Sequence, residues 1–315
     1  MIKNKTILVT GGSGFIGTNL IDTLIKKRAR VICIDNFYSS KKSNINKFLS
    51  NKNFKFIKKD ITKKFILNDK IDGIFHLACP ASPPIYQKDP IFTLNTNYLG
   101  TKNLLELAKL KKAKILLAST SEVYGDPLIH PQKETYFGNV NTLGPRACYD
   151  EGKRISEVLF YEYHKIFKLD IRIARIFNTY GPYLNKDDGR VVSNFINQAI
   201  KNEDITIFGD GSQSRSFCFI SDLIEGLMKL YNYRKFDGAI NFGNPSETSM
   251  NNFAKLVVKL TDSKSVIKKL KLPIDDPKKR KPDITKANKL LGWKPKVNLR
   301  DGLKKTILFY KTNNN

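Results

Sequence analysis

The stretch Lys5–Gly17, KTILVTGGSGFIG, decides the fold. KTILVT is a short apolar run containing β-branched residues, suited to a buried strand. TGGSGFIG follows at once and opens Phe15–Lys27, whose apolar residues recur at the three- and four-residue spacing of a helix. Strand, glycine turn and helix in that order make a dinucleotide-binding unit. Gly11 allows the tight turn, Gly14 lets the backbone approach a pyrophosphate, and Gly17 lets helix and strand pack closely. The exposed amides and the dipole at the helix N-terminus favour phosphate charge, with Phe15 and Ile16 beside them. Asp35 closes the next strand run, RVICID, about twenty residues on. A carboxylate there accepts from both ribose hydroxyls and repels a 2′-phosphate, which selects NAD over NADP. Asn36 beside it, Asp60 and Ile61 after the third strand run, and Leu77 in the fourth complete the expected cofactor set. Asp60 either meets the adenine or caps a turn.

Outward from that unit the same rhythm continues. Phe54–Ile57, Gly73–Ala78, Lys114–Ser119 and Asp170–Phe177 read as further strands, and Pro90–Lys111 and Tyr149–Phe167 as helices. Alternation of this kind predicts an α/β fold, a doubly wound parallel sheet of the Rossmann type. After about Asn178 the rhythm loosens: VVSNFINQAI and SDLIEGLMKLY read as helices, and DITIFGDGSQSRSFCFI as two short strands around a glycine turn. DDPKKRKPD reads as a charged loop before a last helical pair. We therefore expect a cofactor domain over 1–177 and a smaller substrate domain over 178–315, interleaved and facing each other across a cleft.

The 315 residues suffice for one large or two moderate domains. No apolar run approaches the roughly 18 to 20 residues that span a bilayer. A strand beginning near Thr6 leaves no room for a signal peptide, so a cytoplasmic location is expected. Cys33, Cys79, Cys148 and Cys218 form no CxxC pair, which argues for free thiols and against a metal site. The net charge of +26 suggests a nucleic-acid partner. However, the lysines are spread along the chain and travel with asparagine and isoleucine, residues that share adenine- and thymine-rich codons. Base composition accounts for the charge, no nucleic-acid or membrane partner is expected, and a positive field would steer an anionic substrate.

The chemical end lies between Ser119 and Lys153. YxxxK occurs at Tyr38, Tyr98, Tyr149, Tyr161 and Tyr231, so position must decide. Only Tyr149–Lys153 opens a helix after the fifth strand, and its i, i+4 spacing puts both side chains on one face. Cationic Lys153 is expected to lower the Tyr149 phenol pKa so that it serves as a base. Thr120 leaves the carboxyl end of the fifth strand, the edge of the sheet where such sites form. Ser121 and Glu122 follow it. His76 reads as a packed strand-end residue, since a metal role needs partners that the sequence does not show.

With these residues in view, the chain resembles the UDP-glucuronate decarboxylases of the extended short-chain dehydrogenase/reductase superfamily. The resemblance spans essentially the whole chain. It rests on HLACPASPP (His76–Pro84), STSEVYGDP (Ser119–Pro127), HPQKETYFGNVN (His130–Asn141), CYDEGKR (Cys148–Arg154), RIARIFNTYGP (Arg172–Pro182), DDGRVVSNF (Asp187–Phe195), RSFCFISDL (Arg215–Leu223) and RKPDITKA (Arg280–Ala287). It departs at TLGP (Thr142–Pro145), where a more charged turn is usual. The resemblance implies bound NAD, oxidation of UDP-glucuronate at carbon 4, loss of carbon dioxide and re-reduction to UDP-xylose. It implies that Tyr149 is the base, that Thr120 bonds the same oxygen, and that Glu122 with Ser121 acts in proton transfer near carbon 5. Arg280 would orient the sugar carboxylate, unless it is only a solvated charge. Asn178 and Arg215 would hold the diphosphate and Arg190 would lie on the substrate side. A homodimer through Pro90–Lys111 and Tyr149–Phe167 is also implied. Dehydratases of the superfamily carry Asp–Glu after the threonine, where this chain has Ser121–Glu122, and 4-epimerases generally lack the glutamate. A sibling branch releases a 4-keto pentose with NADH. From another class altogether, an idle NAD-binding protein attached to RNA would be expected to have lost Tyr149, Lys153 or Glu122.

Overall fold

The computed structural model describes residues 2–271 and 279–313. Its centre is a seven-stranded parallel sheet of β1 (Thr6–Thr10), β2 (Arg30–Asp35), β3 (Phe54–Lys58), β4 (Gly73–His76), β5 (Lys114–Thr120), β6 (Ile171–Ile176) and β7 (Ile240–Phe242). The spatial order is β7-β6-β5-β4-β1-β2-β3, so the chain reverses direction across the sheet between β1 and β4. A ligand crevice forms at such a switch point. Alternate residues explain why the strands read as continuous apolar runs. Ile7, Val9, Val31 and Cys33 belong to one buried cluster, while Leu8, Ile32, Ile34 and Ile74 belong to another. Both faces of the sheet are covered, as a parallel sheet requires.

The helices that matter for the cleft are α1 (Phe15–Lys26), α2 (Pro90–Asn95), α3 (Thr101–Lys111), α4 (Ala147–Phe167), α5 (Val191–Ile200) and α6 (Ile220–Asn232). Three expectations need correction. Pro90–Lys111 is not one regular helix, because a wide π turn over Thr96–Gly100 separates α2 from α3. The Asn97 carbonyl there accepts from the Ser156 hydroxyl of α4 at 2.9 Å, so the neighbouring helix satisfies a backbone group in the irregular turn. The helix carrying Tyr149 begins two residues earlier than expected, at Ala147. Finally, DITIFGDGSQSRSFCFI is no simple hairpin. Ile205–Phe208 pairs with Ile267–Leu270, Ser214–Ser216 with Glu247–Ser249 and Lys279–Arg280, and Cys218–Phe219 with Thr179–Tyr180. The expected charged loop Asp275–Asp283 lies outside the described residues up to Lys278, and Lys279–Arg280 is strand, not loop.

Residues beyond 177 return to the sheet. Strand β7 lies beside β6, the Phe177 amide donates to the Phe242 carbonyl at 2.8 Å, and Tyr231 of α6 stacks on Phe75 of β4 at 4.7 Å. Among the described residues, no helix is long and apolar enough to cross a membrane, and all four cysteines are free.

Candidate active site

A cleft of about 1060 Å³ runs along the carboxyl edge of the sheet, lined at one end by the glycine turn and at the other by Arg190, Arg215 and Arg280. At the glycine end the geometry is set by backbone. Gly11 has φ +69°, and a Cβ there would lie 2.8 Å from the Ala78 Cα. A Cβ on Gly17 would meet the Gly11 carbonyl oxygen at 2.4 Å. Both positions therefore exclude a side chain, and the resulting cradle fits a pyrophosphate. Gly14, Phe15, Ile16, Asn36, Asp60, Ile61 and Leu77 line the same wall.

Asp35 is buried at the end of β2 and already receives three protein donors: the Ser13 amide at 3.1 Å, the Phe37 amide at 2.8 Å and the Ser40 hydroxyl at 2.9 Å. A carboxylate offers about four acceptor positions, so roughly one is left for a ribose hydroxyl. Asp60 caps a turn, accepting from the Thr62 amide at 2.8 Å, and also lines the cleft, so both expectations for it hold geometrically. His76 is a packed residue. Its two ring nitrogens face the Thr10 and Thr101 hydroxyls at 3.1 and 3.0 Å, and burial with the Lys153 charge lowers its pKa to about 3. No metal-binding cluster occurs among the described residues.

Strand β5 delivers Thr120 and the short turn Ser121–Tyr124 after it. Ser119, one residue before, is fixed by its hydroxyl donating to Glu157 at 2.5 Å, and Arg175 grips the same carboxylate at 2.7 Å. Thr120 accepts from the Glu122 amide at 3.2 Å and hydrogen-bonds the Tyr149 phenol. The Tyr149 ring is buried and stacked face to face on Tyr86, with centroids 5.1 Å apart. Lys153 is buried, with its ammonium donating to the Ala118 carbonyl at 3.0 Å. Thr120, Tyr149 and Lys153 thus meet at one edge, but the expected electrostatics need correction. Burial, with Cys79 and Glu122 adding to it, holds the Tyr149 phenol well above its ordinary range. The Thr120 hydrogen bond and the Arg190 charge pull the other way without prevailing.

The far end of the cleft is built from charged side chains. Glu122 is gripped by Arg146 on one carboxylate oxygen and by Arg280 on the other. Burial would raise its pKa, yet the two guanidinium groups hold it down at about 2. Arg280 also donates to the Gly125 carbonyl at 2.8 Å and is only 4% exposed, so it is no solvated charge. Nor is it free to serve a sugar carboxylate alone, since it already faces Glu122. Arg190 is partly buried and paired with Asp188, whose second oxygen accepts at 3.0 Å. Arg215 and Asn178 line the cleft near it, and one Arg215 nitrogen donates to the Ser214 carbonyl at 2.9 Å. Ser121 is buried and lines the cleft beside Glu122.

Sequence reasoning missed Arg146, Asp150 and Tyr86. Arg146 caps α4 and Asp150 stands one turn along, an i, i+4 pair that the spacing alone does reveal. Tyr86 carries no such signal, because it reaches the site from a separate one-turn helix, Pro83–Tyr86. The unusual TLGP segment forms a turn closed by the Gly144 amide on the Asn141 carbonyl at 3.2 Å, with Leu143 exposed.

A doubly wound parallel sheet with a glycine turn at its switch point and a Thr–Tyr–Lys constellation at its carboxyl edge defines a short-chain dehydrogenase/reductase type of site. The family model described as GDP-mannose 4,6 dehydratase matches residues 8–306. UDP-glucuronic acid decarboxylase 5 of Arabidopsis thaliana is 52% identical over 302 residues, covering 96% of this chain and 88% of that protein. Among solved structures, an epimerase from Methanothermobacter thermautotrophicus matches with TM-score 0.91 at 30% identity over 99% of this chain and 94% of its own. UDP-glucuronic acid 4-epimerase from Bacillus cereus, solved with UDP-glucuronic acid and NAD, matches with TM-score 0.86 at 33% identity over 98% and 99%. This chain belongs to the UDP-glucuronic acid decarboxylase family, within the wider group that the GDP-mannose 4,6 dehydratase model describes.

Proposed function

We propose that the chain converts UDP-glucuronate to UDP-xylose and carbon dioxide with bound NAD. The observation that carries this reading is the Glu122–Arg146–Arg280 cluster facing the same cleft as Thr120, Tyr149 and Lys153. The chemistry NAD supplies when bound is hydride removal from carbon 4 and hydride return after decarboxylation. Gly11, Gly14, Phe15, Ile16, Gly17, Asp35, Asn36, Asp60, Ile61 and Leu77 would hold it. Oxidation at carbon 4 leaves a ketone β to the carboxylate on carbon 5. Carbon dioxide then leaves, the electrons drain into an enolate, and carbon 5 is protonated.

Tyr149 takes the carbon 4 hydroxyl proton and Thr120 hydrogen-bonds the same oxygen as charge develops on it. A phenol this buried releases its proton only beside cationic charge, which Lys153 and Arg190 provide. Glu122 is ionised at neutral pH and so accepts protons in this account, with the Ser121 hydroxyl beside it to pass one on. Two guanidinium groups against one carboxylate attract a second carboxylate, that of the sugar. Arg190, Arg215 and Asn178 are assigned to the diphosphate end, where guanidinium forks match phosphate oxygens.

A homodimer fits the apolar side chains left exposed on α2 to α4, among them Ile91, Leu94, Tyr98, Val158 and Tyr161. Four free cysteines agree with the reducing cytoplasm. The decisive test is product analysis after incubation with UDP-glucuronate. UDP-xylose without net NADH supports the reading. A 4-keto pentose with stoichiometric NADH moves it to the sibling branch, and an unchanged substrate or an epimer overturns it.

A further inference from the structure

Among the described residues, five buried side-chain nitrogen or oxygen atoms have no hydrogen-bond partner, and four of them surround Glu122. They are the Tyr86 hydroxyl, the Arg146 Nε, the Arg280 Nε and the Asp150 Oδ1. Buried polar atoms are ordinarily paired, so orphans concentrated in one place mark where a polar ligand group belongs. Charge arithmetic gives the kind of group. Arg146 and Arg280 supply two positive charges and Glu122 removes one, so the balance depends on Asp150. That residue is 5% exposed and stands in the first turn of α4. It faces Glu122 from the turn after β5, Arg280 from the strand at Lys279–Arg280, and Arg146 and Glu151 from its own helix. The Tyr86 phenol and the Cys148 thiol are its remaining titratable neighbours.

We propose that Asp150 is a positioning residue which, as a neutral acid, leaves this cluster with one surplus positive charge, and that the surplus receives the carboxylate of the sugar substrate. The assignment rests on the decarboxylase reading for the identity of that carboxylate. Burial first, and the Glu122 charge second, raise Asp150 to about 8 against the pull of Arg146 and Arg280. The cluster therefore carries its surplus at neutral pH and becomes balanced in mild alkali, where it loses its hold on the anion. Asp150 is not itself among the residues that line the cleft, so it acts through the arginines it faces.

The test is calorimetric binding of UDP-glucuronate and of UDP-glucose, which lacks the carboxylate, to NAD-loaded protein at pH 7 and pH 9. Wild type should lose about tenfold in UDP-glucuronate affinity across that interval, the order expected for removal of one nearby charge. UDP-glucose should change by less than about threefold. Asp150→Asn, neutral at both values, should flatten the UDP-glucuronate profile to the same extent. It should also melt at a higher temperature than wild type at pH 8. A group whose folded pKa is raised from 3.8 to about 8 lowers stability as pH climbs through that window, and the amide escapes the penalty. An Asp150→Asn profile that follows wild type, or a UDP-glucose loss as large as that of UDP-glucuronate, overturns the proposal. Carbon dioxide release with an unaltered Asp150→Asn profile sinks this role and leaves the decarboxylase reading intact. Carboxylate-selective binding that depends on Asp150, without carbon dioxide release, does the reverse.

Discussion

The two ends of one cleft are built on opposite principles. The cofactor end is made of backbone: a glycine turn whose neighbours exclude any Cβ, and an aspartate whose oxygens are largely occupied by local donors. The substrate end is made of long charged side chains brought from distant parts of the chain, with Arg280 meeting Glu122 across 158 positions. The first is locally determined and complete in itself. The second carries unpaired donors and a charge imbalance that a ligand must settle. The difference teaches that a cofactor retained through the cycle can sit in a finished cradle, whereas a substrate that loses its charge in the reaction meets a site held out of balance.

Replacing the acting group sharpens that contrast most. Tyr149→Phe should lower carbon dioxide release by about a thousandfold, within the range typical of a lost general base, while NAD stays bound. Near-normal turnover would remove Tyr149 from the chemistry. Next in size, Glu122→Ala leaves two buried guanidinium groups without their anion, at a cost of about 3 to 5 kcal/mol. Thermal melting should show the loss, and single-turnover traces should show the first oxidation less affected than carbon dioxide release. An unchanged melting temperature would mean the cluster is not held by its central charge.

Acid titration tests the same cluster with the opposite sign to Asp150. Glu122 has its folded pKa depressed from 4.5 to about 2, so its stabilisation is present above 4.5 and is lost as pH falls through that window. Glu122→Gln should lack this part of the acid sensitivity in melting curves recorded across the interval. At the cofactor end effects should be smaller. Gly11→Ala forces a side chain into left-handed backbone at roughly 1 to 2 kcal/mol, so NAD affinity should fall about tenfold by titration. Smallest of all, Ser40→Ala removes one of three donors to Asp35 and should cost about 1 kcal/mol or less. A larger loss there would show the cradle to be less finished than its hydrogen bonds indicate.

This contrast also explains what the sequence revealed. The strand–glycine–helix unit, Asp35 and the Tyr149–Lys153 pair are encoded by short-range spacing, and the structure puts them where that spacing implies. Resemblance brought in Glu122 and Arg280, but not their mutual grip, because no local pattern reports a pairing between a β5 turn and the strand at Lys279–Arg280. Arg146 and Asp150 were legible as an i, i+4 pair, yet their charge state depends on burial, a tertiary property. The same is true of Tyr149: spacing predicts an ammonium close to a phenol, while burial decides which way the proton equilibrium moves. The three separate pairings of the DITIFGDGSQSRSFCFI strands were hidden for a like reason, since each partner lies far along the chain.

The central claim is that a ketone raised at carbon 4 makes the neighbouring acid group leave. UDP-glucuronate labelled in its carboxyl carbon, incubated with NAD-loaded protein, measures this directly. The account predicts that the label is recovered as carbon dioxide in step with UDP-xylose, with NAD still oxidised at the end. Label that stays on the nucleotide-linked sugar after many turnover times would contradict it.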